Sequence, residues 1–386
     1  MRLVIDCFKL VRGAGKSIGI YNLALNLVRE LASHRQTDEL IVLGNAHNRK
    51  DFDIPRVRFI EIRKDPLSRI TCVLWELFEV SVYARRLGAD KVLFPRGYAS
   101  MLHLTREAVI IHDMIPFYYH ENYPGYFNRL ENFYIMWRLK ASARRADDVI
   151  TISEASRRDI VKYARVPAGR VTVINNGYNP ISGKDYREPE EAYILAVTSA
   201  LPHKNAAGIV KCYEQYCRAV DNPLDLKIVG IDDSSPFTSD VGVAQRITCI
   251  KFIEKNEDLY QLIYGARVFL FLSLIEGFGF PPIEAMQLGT AVICSDASSL
   301  PEVAGDAAVY VDPAEHAAAA RALADLLADD ARRGQLREKG FDNIKRFSWD
   351  HTGERYREVL FRLQSDAVRY GKSDIFGQGW HDQCGR

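Results

Sequence analysis

The segment that decides the fold reads Val268-Phe269-Leu270-Phe271-Leu272-Ser273, and soon afterwards Glu276-Gly277-Phe278-Gly279-Phe280-Pro281-Pro282-Ile283-Glu284-Ala285-Met286. The first run has the length and apolar character of a buried strand. Two glycines and a proline at the expected first helical position, Pro282, are typical of a turn into a helix. A buried strand that leads through a glycine turn into a helix is the repeating unit of a parallel α/β sheet.

The same alternation extends over the whole chain. The predicted strands are 3–8, 40–43, 91–94, 108–111, 149–152, 171–174, 193–198, 226–229, 268–273 and 291–295, and the predicted helices are 20–31, 73–87, 205–220, 257–264, 282–288 and 315–328. This pattern favours an α/β fold with doubly wound parallel sheets. The polar run 179–192 contains prolines and charges and predicts a linker. We expect an N-terminal domain at 1–183, joined again by 364–386, and a C-terminal domain at 190–363.

Composition restricts the class of protein. With 386 residues, 47% hydrophobic and 26% charged, the chain is long enough for two globular domains and is neither disordered nor fibrous. No apolar run reaches the roughly 18 residues of a membrane span. The N-terminus is typical of a strand and not of a secretion signal. Seven cysteines without a C-x-x-C pair argue against zinc or a disulfide framework and indicate a cytoplasmic location.

The net charge of +1 conceals an asymmetry between the two halves. Residues 1–186 contain 29 basic and 20 acidic side chains, which gives +9, and the remaining 22 basic and 30 acidic side chains give −8. The asymmetry is either surface scatter or a front half that meets an anionic partner. Nucleic acid is not the expected partner.

Two carboxylates flank the glycine turn. Glu276 is expected at the carboxyl end of a strand, and Glu284 in the first turn of the following helix. Carboxylates accept pairs of hydrogen bonds from sugar hydroxyls, and amides between them suit phosphate oxygens. Glu284 alone could simply compensate the helix dipole. The combination with Glu276 and two glycines indicates a site for a phosphorylated sugar.

Lys204 is expected at the start of a helix, where the dipole is already positive. A bound diphosphate would resolve that conflict, because helix starts bind phosphate readily. His112 ends a predicted strand and would face the same cleft, although a single histidine is often structural.

A glycine-rich turn follows the first strand. Gly15-Lys16-Ser17 resembles the end of a P-loop, but the first glycine of that motif would fall at Leu10 and the helix is expected to begin later, near Ile18. We therefore interpret Gly13, Gly15 and Gly19 as a flexible turn that lets backbone amides approach a ligand.

Several motifs together resemble the retaining glycosyltransferases of family 4. Glu276 to Met286 is similar to that family's E-x₇-E segment, and Ile18-Gly19-Ile20-Tyr21, His112-Asp113-Met114-Ile115-Pro116 and Pro202-His203-Lys204-Asn205 also follow it. Further matches are Ser153-Glu154, Asn176-Gly177, 289–293 and 299–308. The resemblance extends from residue 1 to about residue 362.

The resemblance implies the GT-B architecture, in which two Rossmann-like domains face a central cleft. It implies that Glu284 binds ribose hydroxyls, that Glu276 contacts the donor sugar, and that Lys204 binds the diphosphate. The remaining donor-binding positions that it implies are Gly19, Gly277, Phe278, Gly279 and Phe280. His112 would lie near the transferred sugar, so that Glu276 and His112 are the catalytic candidates.

The motif also departs from the family pattern. Thr198, His203 and Ile20 occupy positions where many relatives carry arginine. Neutralisation of the diphosphate would then rest on Lys204 and backbone amides, with help from Lys16 or Arg12. The motif variants are most similar to bacterial mannosyl- or rhamnosyltransferases of O-antigen or exopolysaccharide synthesis, and GDP-mannose is the expected donor. No aspartate cluster suggests a metal, no organic cofactor is expected, and the expected transfer retains the anomeric configuration.

The acceptor side is indicated by one basic, aromatic segment, 126–145. It is either a core helix with a solvated basic face or a surface for an anionic membrane or a lipid-diphosphate acceptor. The basic front half favours the second interpretation, with the protein on the inner face of the cytoplasmic membrane.

Other function classes stay open on sequence grounds. They are a non-catalytic two-domain sugar-binding protein, a P-loop nucleotide hydrolase using Lys16, and a nucleotide-sugar hydrolase or epimerase.

Overall fold

The computed structural model describes residues 1–12, 18–33, 39–181, 186–187 and 189–361. Its first sheet contains β1 (Arg2–Asp6), β2 (Glu39–Gly44), β3 (Val57–Glu61), β4 (Lys91–Phe94), β5 (Arg106–Ile110), β6 (Asp148–Thr151) and β7 (Val171–Val173). The strands are parallel and lie in the order β3-β2-β1-β4-β5-β6-β7. This order is that of a doubly wound sheet, with its topological switch between β1 and β4.

The second sheet repeats the pattern with β8 (Tyr193–Val197), β9 (Asp225–Val229), β10 (Ile247–Ile250), β11 (Ala266–Phe271), β12 (Val292–Ser295) and β13 (Ala308–Val311). Its strands are parallel in the order β10-β9-β8-β11-β12-β13, and the switch lies between β8 and β11. The predicted two-domain α/β class is therefore confirmed.

Helices cover both sheets. In the first half they are α1 (Ile18–Ser33), α2 (Arg49–Phe52), α3 (Arg69–Leu74), α4 (Val80–Arg86), α5 (Ile115–Asn122), α6 (Arg129–Arg145) and α7 (Glu154–Ala164). In the second half they are α8 (Ala206–Ala219), α9 (Val241–Gln245), α10 (Asn256–Tyr264), α11 (Phe280–Gln287), α12 (Leu300–Ala304), α13 (His316–Ala328), α14 (Asp330–Asn343) and α15 (Trp349–Leu360). Buried apolar clusters fill both faces of each sheet.

Several elements were not predicted, among them the helices α5, α7, α14 and α15 and three strands at the edges of the sheets. The strands β3, β10 and β13 were not predicted. Each is at least partly exposed along its length, so it lacks the continuous apolar run of a buried strand. The predicted helix 73–87 is present but begins earlier, at Arg69, and a π-helical turn at Trp75–Glu79 lies between α3 and α4.

The chain returns to the first domain earlier than expected. The sequence assigned 190–363 to the second domain, yet α15 packs on α1 and contributes Tyr356, Val359 and Leu360 to the first domain's core. The buried ammonium of Lys91 donates to the Val359 carbonyl at 3.2 Å. Residues 364–386, which were expected to make this return, and half of the boundary at 183–190 lie outside the described residues.

Within the described ranges, no helix combines the length and the apolar character needed to cross a bilayer.

Candidate active site

Lys204 and Glu276 meet at the switch point of the second sheet. Lys204 lies in the loop after β8, and Glu276 in the loop after the neighbouring strand β11. Their Nζ and Oε1 atoms are 2.6 Å apart, and the two side chains are only 26% and 10% exposed. Parallel strands place ligand sites at this crevice, so the ion pair marks the candidate active site.

Asn205 connects the two loops. It adopts a left-handed conformation with φ of 56° and caps α8, where its Oδ1 accepts from the Gly208 amide. Its Nδ2 donates to the carbonyl of Leu272 at the end of β11, at 2.9 Å. One amide side chain therefore both begins the helix and fixes the loop of Lys204 beside that of Glu276.

The predicted helical position of Lys204 is corrected. Lys204 ends a 3₁₀ turn, Pro202–Lys204, and precedes the cap of α8 instead of starting the helix. Its counter-charge in this structure is the carboxylate of Glu276. A diphosphate would thus compete with Glu276 for the same ammonium.

The backbone of Glu276 is clamped by two serines. The amide of Glu276 donates to Ser298 Oγ at 3.2 Å, and the Ser298 and Ser299 hydroxyls donate to the Glu276 carbonyl at 2.7 and 3.0 Å. Ser298 has a φ of 57°, which is strained for a residue with a Cβ atom. Sequence reasoning missed Ser298, because a strained serine beyond the next strand carries no local signature.

The glycine turn brings the two domains into contact. A Cβ atom at Gly277 would lie 3.0 Å from the carbonyl oxygen of His112 and 3.3 Å from Cβ of Asp113. Gly279 has a φ of 111°, and a Cβ there would meet Leu300 at 2.7 Å. Both glycines are therefore needed for close packing of the turn. Their predicted role, to leave backbone amides open to a donor, stays a prediction.

The start of α11 lies two residues earlier than predicted. The helix begins at Phe280, so Glu284 lies in its second turn and not in the first. Dipole compensation at a helix start therefore does not explain Glu284. Pro281 and Pro282 carry no amide hydrogen, which leaves the amides around Gly279 and Phe280 as the donors at this helix start. Burial raises the pKa of Glu284 to about 7.

Two aromatic residues of the turn face the core. Phe278 is 3% exposed and packs edge-on against Phe347 at 5.6 Å between ring centroids, and Phe280 packs beside it. The buried side chain of Phe278 therefore shapes the turn, whereas that of Phe280 is half-buried.

His112 is held by the first domain. Its Nε2–H donates to the carbonyl of Pro95 at 2.7 Å, and burial lowers its pKa to about 4. The imidazole is thus neutral at pH 7. Burial raises the pKa of the adjacent Asp113, and the nearby Glu276 carboxylate raises it further.

Serine hydroxyls join the two halves of the cleft. Ser153, the cap of α7, donates to the carbonyl of Gly277 at 2.8 Å, and Ser156 donates to that of His112 at 2.8 Å. Across the same boundary, Glu302 accepts from the amide of Glu154 and from the side chain of Asn175. The catalytic candidates Glu276 and His112 therefore belong to one hydrogen-bonded unit.

A buried hydrogen bond crosses the cleft next to Lys204. Tyr119 on α5 lies with its hydroxyl 2.7 Å from Nδ1 of His203. Burial lowers the pKa of His203 to about 4, and the charge of Lys204 lowers it further. The hydroxyl therefore shares a hydrogen bond with a neutral imidazole, and the tautomer of His203 sets its direction. This contact was not predicted, because it joins residues 84 positions apart.

Comparison with known proteins assigns the family. The model described as "Glycosyltransferase Family 4" matches residues 19–181, and the model described as "Glycosyl transferases group 1" matches residues 181–342. The two matches divide the chain between its two sheets. The chain belongs to family 4 of the glycosyltransferases.

Individual relatives agree with this assignment. The glycosyltransferase is 25% identical over 354 residues to the O-antigen chain mannosyltransferase RfbU of Salmonella typhimurium, covering 86% of this chain and 95% of the relative. It is 27% identical over 363 residues to O-antigen chain mannosyltransferase B of Escherichia coli, covering 86% and 93%. The structure of sucrose-phosphate synthase from Thermosynechococcus elongatus matches with a TM-score of 0.69 at 19% identity, covering 94% and 99%. The predicted GT-B fold is therefore confirmed.

The glycine-rich turn before α1 lies at the edge of what the structure describes. Gly19 is exposed in the first turn of α1, and a Cβ atom there would touch nothing within 4 Å. The helix begins at Ile18, at the early end of the predicted start near Ile18–Tyr21 and two residues before the predicted helix 20–31. Gly13, Gly15 and Lys16, and with them the P-loop alternative, lie outside the described residues. Elsewhere in the described part of this glycosyltransferase, no group of three acidic, histidine or cysteine side chains could hold a metal ion.

The segment 126–145 is only partly the basic surface that was expected. Arg138 is 1% exposed and lies inside the domain. Leu130, Phe133 and Trp137 on α6 are 81%, 67% and 42% exposed. These three share one side of the helix at spacings of three and four residues. The first domain of this glycosyltransferase therefore presents an apolar stripe on α6 to its surroundings.

Proposed function

We propose that this glycosyltransferase transfers mannose from GDP-mannose to a lipid-linked or glycan acceptor in the synthesis of a bacterial surface polysaccharide. The observation that carries the proposal is the contact of Lys204 with Glu276 at the β8–β11 switch point. A cation for a diphosphate and a carboxylate for sugar hydroxyls lie side by side, and the backbone carbonyl of His112 packs against Gly277, the residue after Glu276. Two similar proteins are named as O-antigen mannosyltransferases, which supports the choice of donor and product class.

The proposed chemistry is transfer with retention and without a metal ion. Departure of the nucleoside diphosphate leaves negative charge, which Lys204 and the amides near Gly279 and Phe280 stabilise from fixed positions. Glu276 orients and polarises the sugar, and its pairing with Lys204 makes it an electrostatic partner instead of a covalent nucleophile. Glu284, on the next turn of α11, accepts the ribose hydroxyls. His112, neutral because burial lowers its pKa to about 4, orients the transferred sugar and is not a general acid at pH 7.

The protein is further proposed to work on the inner face of the cytoplasmic membrane. The stripe of Leu130, Phe133 and Trp137 supports this location, because exposed apolar residues beside basic ones favour an anionic lipid surface. Vesicle binding should then rise with anionic lipid and fall with added salt.

A panel of GDP-, UDP- and ADP-sugars in a thermal-shift assay tests the donor, because a ligand that binds the folded state raises its melting temperature. GDP-mannose should give the largest shift, also in the presence of EDTA. The anomeric configuration of the product, read by NMR, should match that of the donor. Absence of a shift with every nucleotide sugar would overturn the proposal, and an inverted product would overturn its mechanism.

A further inference from the structure

A second crevice lies at the switch point of the first sheet. It is a cavity of about 820 Å³. Its lining includes Lys9 after β1, Arg96 after β4, and residues of α3 and α6. Ligands of doubly wound sheets bind at such crevices, and no step proposed above uses this one.

The wall of this crevice contains a buried donor without a partner. Nε of Arg96, which lines the crevice, has no hydrogen-bond partner among the described residues. Buried donors are ordinarily paired. The guanidinium of Arg138 lies behind the wall, 5.8 Å from the ring of Tyr98 and beside the hydroxyl of Tyr134. The unpaired donor of Arg96, with the charge of Arg138 behind it, favours an anionic occupant.

The charges around the crevice are positive on balance. Lys9 pairs with Glu76 at 2.7 Å, and Arg69 pairs with Glu131 at 2.5 Å. Arg96 and Arg138 are in excess of these two pairs. Asp6, which Trp75 holds by a hydrogen bond of 3.0 Å, offsets at most one of them. An anion would therefore enter a crevice that carries a net positive charge.

The rim of the crevice is apolar. The helices α3 and α6, which contribute to the lining, carry or adjoin five exposed large apolar side chains: Leu67, Ile70, Leu74, Leu130 and Phe133. Leu67 and Leu130, which are 59% and 81% exposed, also line the cavity itself. Exposed apolar patches of this kind mark lipid or protein contacts. A positively charged crevice with an apolar rim is complementary to a lipid with a phosphorylated head group.

The crevice is connected to the candidate active site. Arg96 directly follows Pro95, whose carbonyl holds His112, and Arg96 itself donates to the carbonyl of Lys9. A head group held at Arg96 would thus lie next to the segment that positions His112.

We propose that this crevice binds the diphosphate of a lipid-linked acceptor at Arg96 and Lys9, while the apolar side chains of α3 and α6 hold the hydrocarbon chain. The inference rests on the proposed function, because it supplies the acceptor for that transfer.

Farnesyl diphosphate is a soluble probe for this site, and inorganic diphosphate and farnesol are its two partial analogues. Calorimetric titration should show that farnesyl diphosphate binds at least about tenfold more tightly than either analogue. Leu130→Asp should weaken farnesyl diphosphate about tenfold and leave inorganic diphosphate unchanged. Arg96→Gln should weaken both diphosphates. Since Leu130 is 81% exposed, its variant reports on binding without a risk to folding.

Matched controls lie on the second domain. Phe252→Asp and Arg321→Gln replace exposed residues there and should bind the probe like the wild type. Lys204→Ala should also bind it normally, which excludes the donor diphosphate site. Wild-type affinity in both Leu130→Asp and Arg96→Gln, or equal binding of farnesyl and inorganic diphosphate, would overturn the inference. If GDP-mannose still raises the melting temperature in that case, the donor proposal stands and only this acceptor site fails.

Discussion

The ammonium of Lys204 and the carboxylate of Glu276 neutralise each other across two adjacent loops, at 2.6 Å. A donor diphosphate must replace Glu276 as the partner of this ammonium, so donor binding breaks the ion pair. Lys204→Ala should weaken binding of the nucleoside diphosphate at least about tenfold, because it removes a charge-assisted hydrogen bond. Titration calorimetry measures the effect. Lys211→Ala, an exposed lysine on α8, is the control, and equal affinities of the two variants would contradict the assignment.

Glu276→Ala should slow sugar transfer without weakening the binding of the nucleoside diphosphate. The substitution frees Lys204, so affinity for the nucleoside diphosphate should stay the same or increase. Turnover should fall on the order of 100-fold, because the sugar loses its fixed carboxylate. Calorimetry and a transfer assay on the same preparation give both quantities. Near-normal turnover would refute the role of Glu276, and Glu257→Ala, on the exposed side of α10, should change neither quantity.

Gly277→Ala should disturb the contact between the domains. A Cβ atom would lie 3.0 Å from the His112 carbonyl oxygen, a distance at which the two loops must separate. We expect lower stability, by about 1–3 kcal/mol, and a lower kcat/KM. Gly334→Ala on α14 is the matched control, because nothing lies within 4 Å of its added Cβ. It should stabilise the helix by about 1 kcal/mol. Urea titrations should therefore give opposite signs for the two variants, and equal signs would argue against the contact.

The sequence predicted the central strands and the individual site residues, but not how they meet. The strands next to each switch point have a buried apolar centre, so their pattern is strong, whereas the edge strands β3 and β10 are partly exposed. Lys204 and Glu276 each follow a recognisable local motif. Their ion pair depends on β8 and β11 being neighbours, which is a property of the sheet order.

Contacts made by a single hydroxyl could not be predicted. Ser298 acts through its strained backbone and two hydrogen bonds to Glu276. The start of α11 was misplaced for a related reason. Pro282 is compatible with the first helical position, but the left-handed conformation of Gly279 lets the helix begin already at Phe280. Such conformations are decided by tertiary packing and not by the local pattern.

Glu284→Gln should remove a pH dependence of stability. The pKa of Glu284 is raised by burial from 4.5 to about 7, so the folded state holds this proton over a range in which the unfolded state has lost it. The free energy of unfolding therefore falls as pH rises from about 4.5 to 7 and then levels off. The loss is on the order of 1–3 kcal/mol. The difference between wild type and variant in urea titrations should change across this range, and a constant difference would contradict the raised pKa. Glu257→Gln is the control.

Tyr119→Phe should lower the free energy of unfolding, because it removes the hydrogen bond that crosses the cleft. The hydroxyl of Tyr119 lies 2.7 Å from Nδ1 of the buried His203, and its removal leaves that nitrogen without its hydrogen-bond partner. An unsatisfied buried polar group costs about 1–3 kcal/mol, which urea titration at pH 7 can resolve. Because His203 directly precedes Lys204, we also expect a higher KM for the donor with a smaller change in kcat. The control is Tyr126→Phe, which removes the hydroxyl of a half-exposed ring in the same aromatic cluster. If both variants lose the same stability and bind the donor equally well, the Tyr119–His203 bond does not hold the cleft.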